Sequence, residues 1–66
     1  MLTIVKLQRP DGRDVYINPA MVCEIMRLAN GWTKILMACG DVVVTDDVET
    51  VISKLTFGND YEKELL

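Results

Sequence analysis

The strand-like segments of this chain carry apolar side chains on both faces, and the chain is only 66 residues long. Half of its residues are hydrophobic. A domain of about 60 residues buries only roughly 60% of the surface that its unfolded chain exposes. One layer of strands covered by one helix leaves the other sheet face without a cover. We therefore expect another copy of the chain, or a partner protein, to cover that face.

The charge balance is acidic, with ten acidic residues, seven basic residues and no histidine. Binding to the phosphate backbone of a nucleic acid depends on clustered Lys and Arg, whereas the basic residues here are scattered along the chain. We therefore expect no nucleic-acid partner. The acidic charge does not exclude a small anionic ligand.

The chain lacks the features of a secreted or membrane-inserted protein. Residues 1–7 have no basic start, long apolar stretch or small-residue cleavage site, which a signal peptide would need. The longest apolar run is far shorter than the ~20 residues that span a bilayer. Cys23 and Cys39 do not form a Cys-x-x-Cys pair. We therefore expect a cytoplasmic protein with both thiols reduced and no membrane insertion.

The first 18 residues have the pattern of a β-hairpin. Residues 2–8 alternate as a strand, and residues 14–18 alternate as the returning strand. Between them, Pro10 presets φ for a turn, and Gly12 accepts a positive φ without a steric penalty. The pattern predicts a hairpin over residues 2–18.

Asn18-Pro19 interrupts this pattern, and the segment 21–28 then fits either a helical stripe or strand alternation. We favour a short turn over 19–22 followed by a strand, because the following Asn30-Gly31 pair is typical of a two-residue type I′ hairpin turn. Three further elements follow: a returning strand over 32–38, a turn over 39–41 and a β-branched strand over 42–45.

A helix is predicted over about residues 46–56. Asp46 or Thr45 can cap it, and with Asp46 as N-cap, Glu49 stands at the third helical position, as in a capping box. The tail, residues 57–66, either adds one turn, contributes to an interface or frays. The predicted buried face of the helix follows the i, i+3, i+4, i+7 pattern of Val48, Val51, Ile52 and Leu55.

These elements predict an α+β, mainly β fold. We expect a single domain over residues 1–66, in which a small antiparallel five-stranded meander carries a short C-terminal helix and assembles as a homo-oligomer. The helix covers one sheet face, so the remaining apolar side chains fall on the other face or at an edge, with Trp32 a further possible member of that set. The candidate interface residues are Leu2, Ile4, Tyr16 and Leu36.

No set of residues fits a catalytic template, because the absence of histidine removes the commonest general base and metal ligand. We predict a protein that is not an enzyme and that needs no cofactor and no metal. The acidic cluster of Asp46, Asp47 and Glu49 lacks the spacing of a calcium loop, and helix capping explains it. Cys23 and Cys39 are expected close together across the central hairpin, as buried or half-buried inert thiols, with a redox or metal role as the alternative.

Four residues are candidates for a small-molecule site. With a two-residue turn at Asn30-Gly31, Arg27 faces Lys34, and two like charges opposite each other destabilise a strand pair unless an anion lies between them. The alternative is that both side chains extend outward into water. The candidate ligand-binding residues are Tyr16, Arg27, Trp32 and Lys34.

The chain also resembles a known family over residues 2–55. The matching features are Gly12, Gly40 and five short segments of apolar and polar residues. These segments are Val15-Tyr-Ile-Asn-Pro19, Val22-Cys-Glu-Ile25, Thr33-Lys-Ile-Leu36, Val42-Val-Val44 and Val48-Glu-Thr-Val-Ile-Ser-Lys-Leu55. In this order they resemble the FlbD-like family of small flagellar and swarming-motility proteins. The resemblance implies a non-enzymatic accessory role exerted by binding a protein, with no active site to transfer.

The chain departs from the family at two places. Leu28-Ala-Asn-Gly-Trp32 stands where the family has a Thr-Pro-Asp-Thr turn, and the tail is acidic where the family is often basic. FlbD-like sequences are also similar to some short phage-encoded proteins, so a phage origin stays open.

Three functions follow as hypotheses. The first is a non-enzymatic homo-oligomeric protein-interaction module. The second is a phage-encoded oligomer that binds and sequesters a small anionic or nucleotide signalling ligand at its subunit interfaces. The third is an RNA-binding regulator similar to the carbon-storage regulator, which is also a small dimer of strands with a C-terminal helix. The acidic charge disfavours the third.

Overall fold

A computed structural model describes residues 4–58 of the chain. It contains five antiparallel strands in two sheets, a short 3₁₀ helix over Pro19–Met21 and one α-helix. The predicted α+β, mainly β class is confirmed. The elements are β1 (Val5–Gln8), β2 (Asp14–Ile17), β3 (Val22–Arg27), β4 (Thr33–Met37), β5 (Gly40–Val44) and α1 (Val48–Phe57).

The strands do not form the single five-stranded meander that the sequence predicts. One sheet has the order β1-β2 and the other has the order β3-β4-β5. The 3₁₀ helix causes the break: the Asn18 side chain accepts a hydrogen bond from the Ala20 N–H at 3.0 Å, and Met21 N–H donates to the Asn18 carbonyl at 3.0 Å. Pro19 has no N–H to donate to a ladder. The chain therefore changes direction before β3 begins, and β2 does not pair with β3.

The first hairpin is confirmed over residues 5–17. Val5 lies opposite Ile17, and both side chains are buried together with Leu7. In the turn, Gly12 has a φ of 90°, which the absence of a side chain allows. The next residue, Arg13, donates its N–H to the Asp11 carboxylate at 3.0 Å.

The hairpin between β3 and β4 has a three-residue turn rather than the predicted two-residue turn. Leu28 N–H donates to the Trp32 carbonyl at 2.8 Å, and Gly31 N–H donates to the Leu28 carbonyl at 3.0 Å. A type I′ turn needs positive φ at both central residues, whereas Gly31 has a φ of 89° and Asn30 is not in the positive region. The longer turn shifts the pairing by one residue, so that Arg27 lies opposite Thr33 and not opposite Lys34.

The core lies between the two sheets and α1. It is aliphatic, and the one buried polar side chain within residues 4–58 is Thr33. The helix contributes Val51 as a fully buried residue, while Val48 and Leu55 are half-buried. The prediction for Ile52 is wrong, because 48% of it is exposed; a single row of helix residues is enough to close this small core. The buried apolar residues are Val5, Leu7, Ile17, Ile35, Val42, Val44 and Val51.

The helix begins later than predicted, because its N-cap is Asp47 and not Asp46 or Thr45. The Asp47 side chain accepts a hydrogen bond from the Thr50 N–H at 3.2 Å. With this cap the third helical position is Thr50, so the predicted capping box with Glu49 does not form. The predicted cap Asp46 is unavailable because its carboxylate binds groups from other elements, as described below.

The Asp47 carboxylate should make the stability of the fold depend on pH. The hydrogen bonds from the Thr50 side chain and backbone N–H lower the pKa of the Asp47 carboxyl below its usual 3.8. A carboxyl with a lowered folded-state pKa contributes stability above the unfolded-state pKa and loses it as the pH falls through the folded-state pKa. We expect Asp47→Asn, which keeps a capping oxygen, to lower the thermal midpoint at neutral pH. The difference should disappear only after the pH has fallen below the folded-state pKa of Asp47, which is itself below 3.8.

Circular dichroism melts across this pH range check the expectation. Asp11→Asn is the matched control, because hydrogen bonds from Arg13 lower the pKa of Asp11 in the first hairpin, away from the helix. Asp11→Asn should make the thermal midpoint less dependent on pH and should leave the helical circular dichroism signal unchanged. A constant difference between wild type and Asp47→Asn at all pH values would contradict the assignment.

The end of the helix marks the limit of the described chain. Gly58 has a φ of 75° and donates its N–H to the Lys54 carbonyl at 2.7 Å, which ends α1 after Phe57. Of the predicted tail, residues 57–66, Phe57 is the last residue of α1 and Gly58 is its C-cap, so the helix ends one residue later than predicted. Residues 59–66 lie outside the described residues. Between residues 4 and 58, no helix is long and apolar enough to cross a bilayer.

Candidate interaction surface

The three-stranded sheet has an apolar face that points away from the core. Side chains alternate along a strand, and Ile35 of β4 and Val42 of β5 are buried in the core. The residues between such positions therefore project from the opposite face. In the register of the sheet, Met26, Lys34 and Val43 form one cross-strand row on this face. We call its apolar members the outer patch: Met26, Leu28, Trp32, Leu36 and Val43.

The outer patch is not part of the hydrophobic core. None of its five residues belongs to the core cluster or to the partly buried residues packed against it. Each of them is half-buried, which leaves part of its apolar surface accessible. Charged groups lie among them: Lys34 forms an ion pair with Asp41 at 3.4 Å, and Glu24 lies exposed opposite Leu36. The face therefore combines apolar area with charges of both signs.

The predicted interface residues lie on both sheets. Leu36 belongs to the outer patch. Tyr16 lies on the two-stranded sheet opposite Lys6 and is 50% exposed, and Ile4, which precedes β1, is half-buried. Leu2 lies outside the described residues. Only Leu36 thus combines with other apolar side chains on the three-stranded sheet.

The predicted ligand-binding residues are not brought together within one chain. Arg27 lies on the side of β3 that faces the helix, where its guanidinium binds Glu49 at 2.6 Å. Lys34 projects from the opposite face, so the prediction that Arg27 and Lys34 face each other is wrong. The three-residue turn shifts the pairing by one residue and places Thr33 opposite Arg27. Trp32 lies beside that turn, and Tyr16 lies on the other sheet.

A cleft lies where the first hairpin turn approaches β5. It has a volume of about 330 Å³, and none of the predicted ligand-binding residues lines it. Two of its aspartates are paired, Asp11 with Arg13 at 2.8 Å and Asp41 with Lys34. Its mixed charges do not favour an anion. The lining residues are Arg9, Pro10, Asp11, Asp41, Val42 and Val43.

Both cysteines are free and exposed, so the prediction of buried or half-buried thiols is wrong. Cys23 lies at a bulge of the edge strand β3, and Cys39 lies in the tight turn before β5. Neither position faces the core. Over residues 4–58, no group of three or more His, Cys, Asp or Glu side chains is arranged to hold a metal ion.

Sequence reasoning missed the structural role of Asp46. Its carboxylate accepts a hydrogen bond from the Gln8 N–H and binds the Lys54 ammonium, both at 3.2 Å. Its carbonyl accepts a hydrogen bond from the Thr33 hydroxyl at 2.7 Å. One residue thus joins β1, β4 and α1. No local signal identifies it, because these partners are 38, 8 and 13 residues away along the chain.

Comparison of the chain with protein-family models, with curated proteins and with solved structures finds no match.

Proposed function

We propose that this protein is a non-enzymatic protein-interaction module that forms a homo-oligomer through the outer patch. The observation that carries the proposal is the set of five apolar side chains on a sheet face that takes no part in the core. Burying such a face against another protein surface removes apolar area from water, which is the main favourable term in association.

A second copy suits this face because the face carries both signs of charge. A two-fold interface brings the same patch together with itself, so each charge needs an opposite charge elsewhere on the same patch. Lys34 supplies the positive charge, and Glu24 and Asp41 supply the negative charges. Glu24 makes no ion pair within residues 4–58, which leaves it able to meet Lys34 of a second copy.

The resemblance to FlbD-like proteins agrees with this proposal, because it implies an accessory role exerted by protein binding. A role in motility is the part of the proposal that depends on the resemblance alone. The second hypothesis, sequestration of a small anionic ligand between subunits, stays a prediction.

Leu36→Asp tests the proposal directly. It places a charge at the centre of the outer patch, and Leu36 is outside the core, so the fold should persist. We expect light scattering coupled to size exclusion to show an oligomer for the wild type at micromolar concentration and a monomer for Leu36→Asp. Unchanged far-ultraviolet circular dichroism would show that the variant is folded.

The matched control is Ser53→Asp, which adds the same charge at an exposed position of the helix. It should leave the oligomer intact. A monomeric wild type would overturn the proposal, and so would dissociation by both variants to the same extent, because general charge repulsion would then explain the result.

A further inference from the structure

We propose that one end of the three-stranded sheet is a binding site for a soft metal ion, Cu(I), held by the sulfur atoms of Met21, Cys23 and Cys39. The proposal is independent of self-association through the outer patch. It begins from the strand register. Ala38 N–H donates to the Met21 carbonyl at 3.1 Å, and Ala38 is the residue that precedes Cys39. The segment before β3 and the turn after β4 are therefore held side by side.

The bulge in β3 brings the third sulfur to the same end. The pairing of β3 with β4 shifts between Val22 and Glu24, so Cys23 is the inserted residue. Its Sγ lies 3.9 Å from the Met21 carbonyl oxygen, which places the thiol beside the Met21 segment. A bulge often serves to re-aim a side chain in this way. Met37 lies opposite Val22 at the same end of the sheet, but it packs against the core and is not part of the proposed site.

The sulfur atoms are open to an incoming ion. Both cysteines are free and exposed, and Met21 is 44% exposed although it is a large apolar residue. None of the three residues belongs to the core cluster, so packing does not explain why Met21 is exposed at the same end of the sheet as the two cysteines.

The donor set selects the metal. Thiolates bind both Cu(I) and Zn²⁺, but structural Zn²⁺ sites take four ligands from Cys, His or carboxylates. A soft thioether beside only two thiols suits Cu(I) better. The chain has no histidine, and its described residues offer no group of three His, Cys, Asp or Glu side chains.

The test is a competition for Cu(I) under anaerobic conditions with both cysteines reduced. The purified chain competes with a chromophoric Cu(I) chelator, and we expect it to retain one equivalent of copper. Cys23→Ser and Cys39→Ser should each weaken binding by roughly tenfold or more, and Met21→Leu should weaken it by a smaller factor. X-ray absorption at the copper edge should show sulfur ligands only.

Met26→Leu is the matched control, because Met26 lies on the outer patch and not at this end of the sheet. It should bind copper as the wild type does. Circular dichroism of each serine variant checks that the exposed substitution leaves the fold intact. Failure of the wild type to retain copper, equal binding by Cys23→Ser, or tighter binding of Zn²⁺ would each overturn the proposal.

Discussion

Ile35→Ala is expected to remove most of the stability of the fold. Ile35 is fully buried at the centre of β4, between the partners Ile25 and Val42. Truncation of a buried isoleucine to alanine costs about 2–5 kcal/mol, because apolar contacts are lost and a cavity remains. Folded domains have only roughly 0.05–0.15 kcal/mol of stability per residue. The cost is therefore comparable with the total stability of a chain of this length.

Urea unfolding followed by circular dichroism measures this loss, with all proteins at one concentration because self-association would raise the apparent stability. The matched control is Ile52→Ala, the same substitution at a half-exposed helix position. It should change the free energy of unfolding by no more than about 0.5 kcal/mol. Equal losses for the two variants would contradict the assignment of Ile35 to the core and Ile52 to the surface.

Asp46→Ala is the second substitution with a large expected effect. It removes the carboxylate that binds the Gln8 N–H and the Lys54 ammonium, while the Asp46 carbonyl can still accept from Thr33. The Asp46 side chain is only 16% exposed, although the Gln8 N–H lies at an exposed position. Two hydrogen bonds are lost, each contributing about 0.5–1.5 kcal/mol, so the expected cost is about 1–3 kcal/mol. For a domain of this size, each kcal/mol lowers the thermal midpoint by roughly 4–8 °C.

Asp41→Ala is the control for Asp46→Ala. Asp41 also forms an ion pair with a lysine, but half of its side chain is exposed, and surface pairs contribute little. The thermal midpoint of Asp41→Ala should stay close to that of the wild type. Hydrogen exchange gives a sharper result: Asp46→Ala should increase exchange at the Gln8 amide, where β1 meets the end of β5. Equal thermal midpoints for Asp46→Ala and Asp41→Ala would show that the Asp46 carboxylate does not stabilise the contact between β1 and α1.

The hairpins show how far local sequence can predict this fold. Pro10 and Gly12 predict the first turn, and Asn30-Gly31 predicts the position of the second. The second turn has three residues because Gly31 alone takes a positive φ. That one-residue difference moves Arg27 and Lys34 to opposite faces of the sheet and removes the predicted anion site. The Asn-Gly pair thus predicts where the hairpin turns. The register of the two strands depends on the turn length, which is set by the φ and ψ angles of all the turn residues together.

The sequence predicted that an apolar sheet face would be uncovered, but it identified only some of the residues on that face. The excess of apolar residues predicts an uncovered sheet face, and Leu36 lies on it. Met26, Leu28 and Val43 were not predicted, because assigning them to that face requires the strand register. Tyr16 and Ile4 lie on the other sheet, because Pro19 and the 3₁₀ helix break the meander.

The sequence by itself determined the mainly β class, the places where the chain turns, and a surplus of apolar side chains on the strands. These properties depend on residues that are close along the chain. Only the tertiary structure decided the division into two sheets, the role of Asp46 and the exposure of both cysteines. The role of Asp46 depends on groups that lie 38, 13 and 8 residues away along the chain, which local propensity does not specify. The physical reason is that a short chain has one small core, and packing around it decides which apolar side chains remain outside.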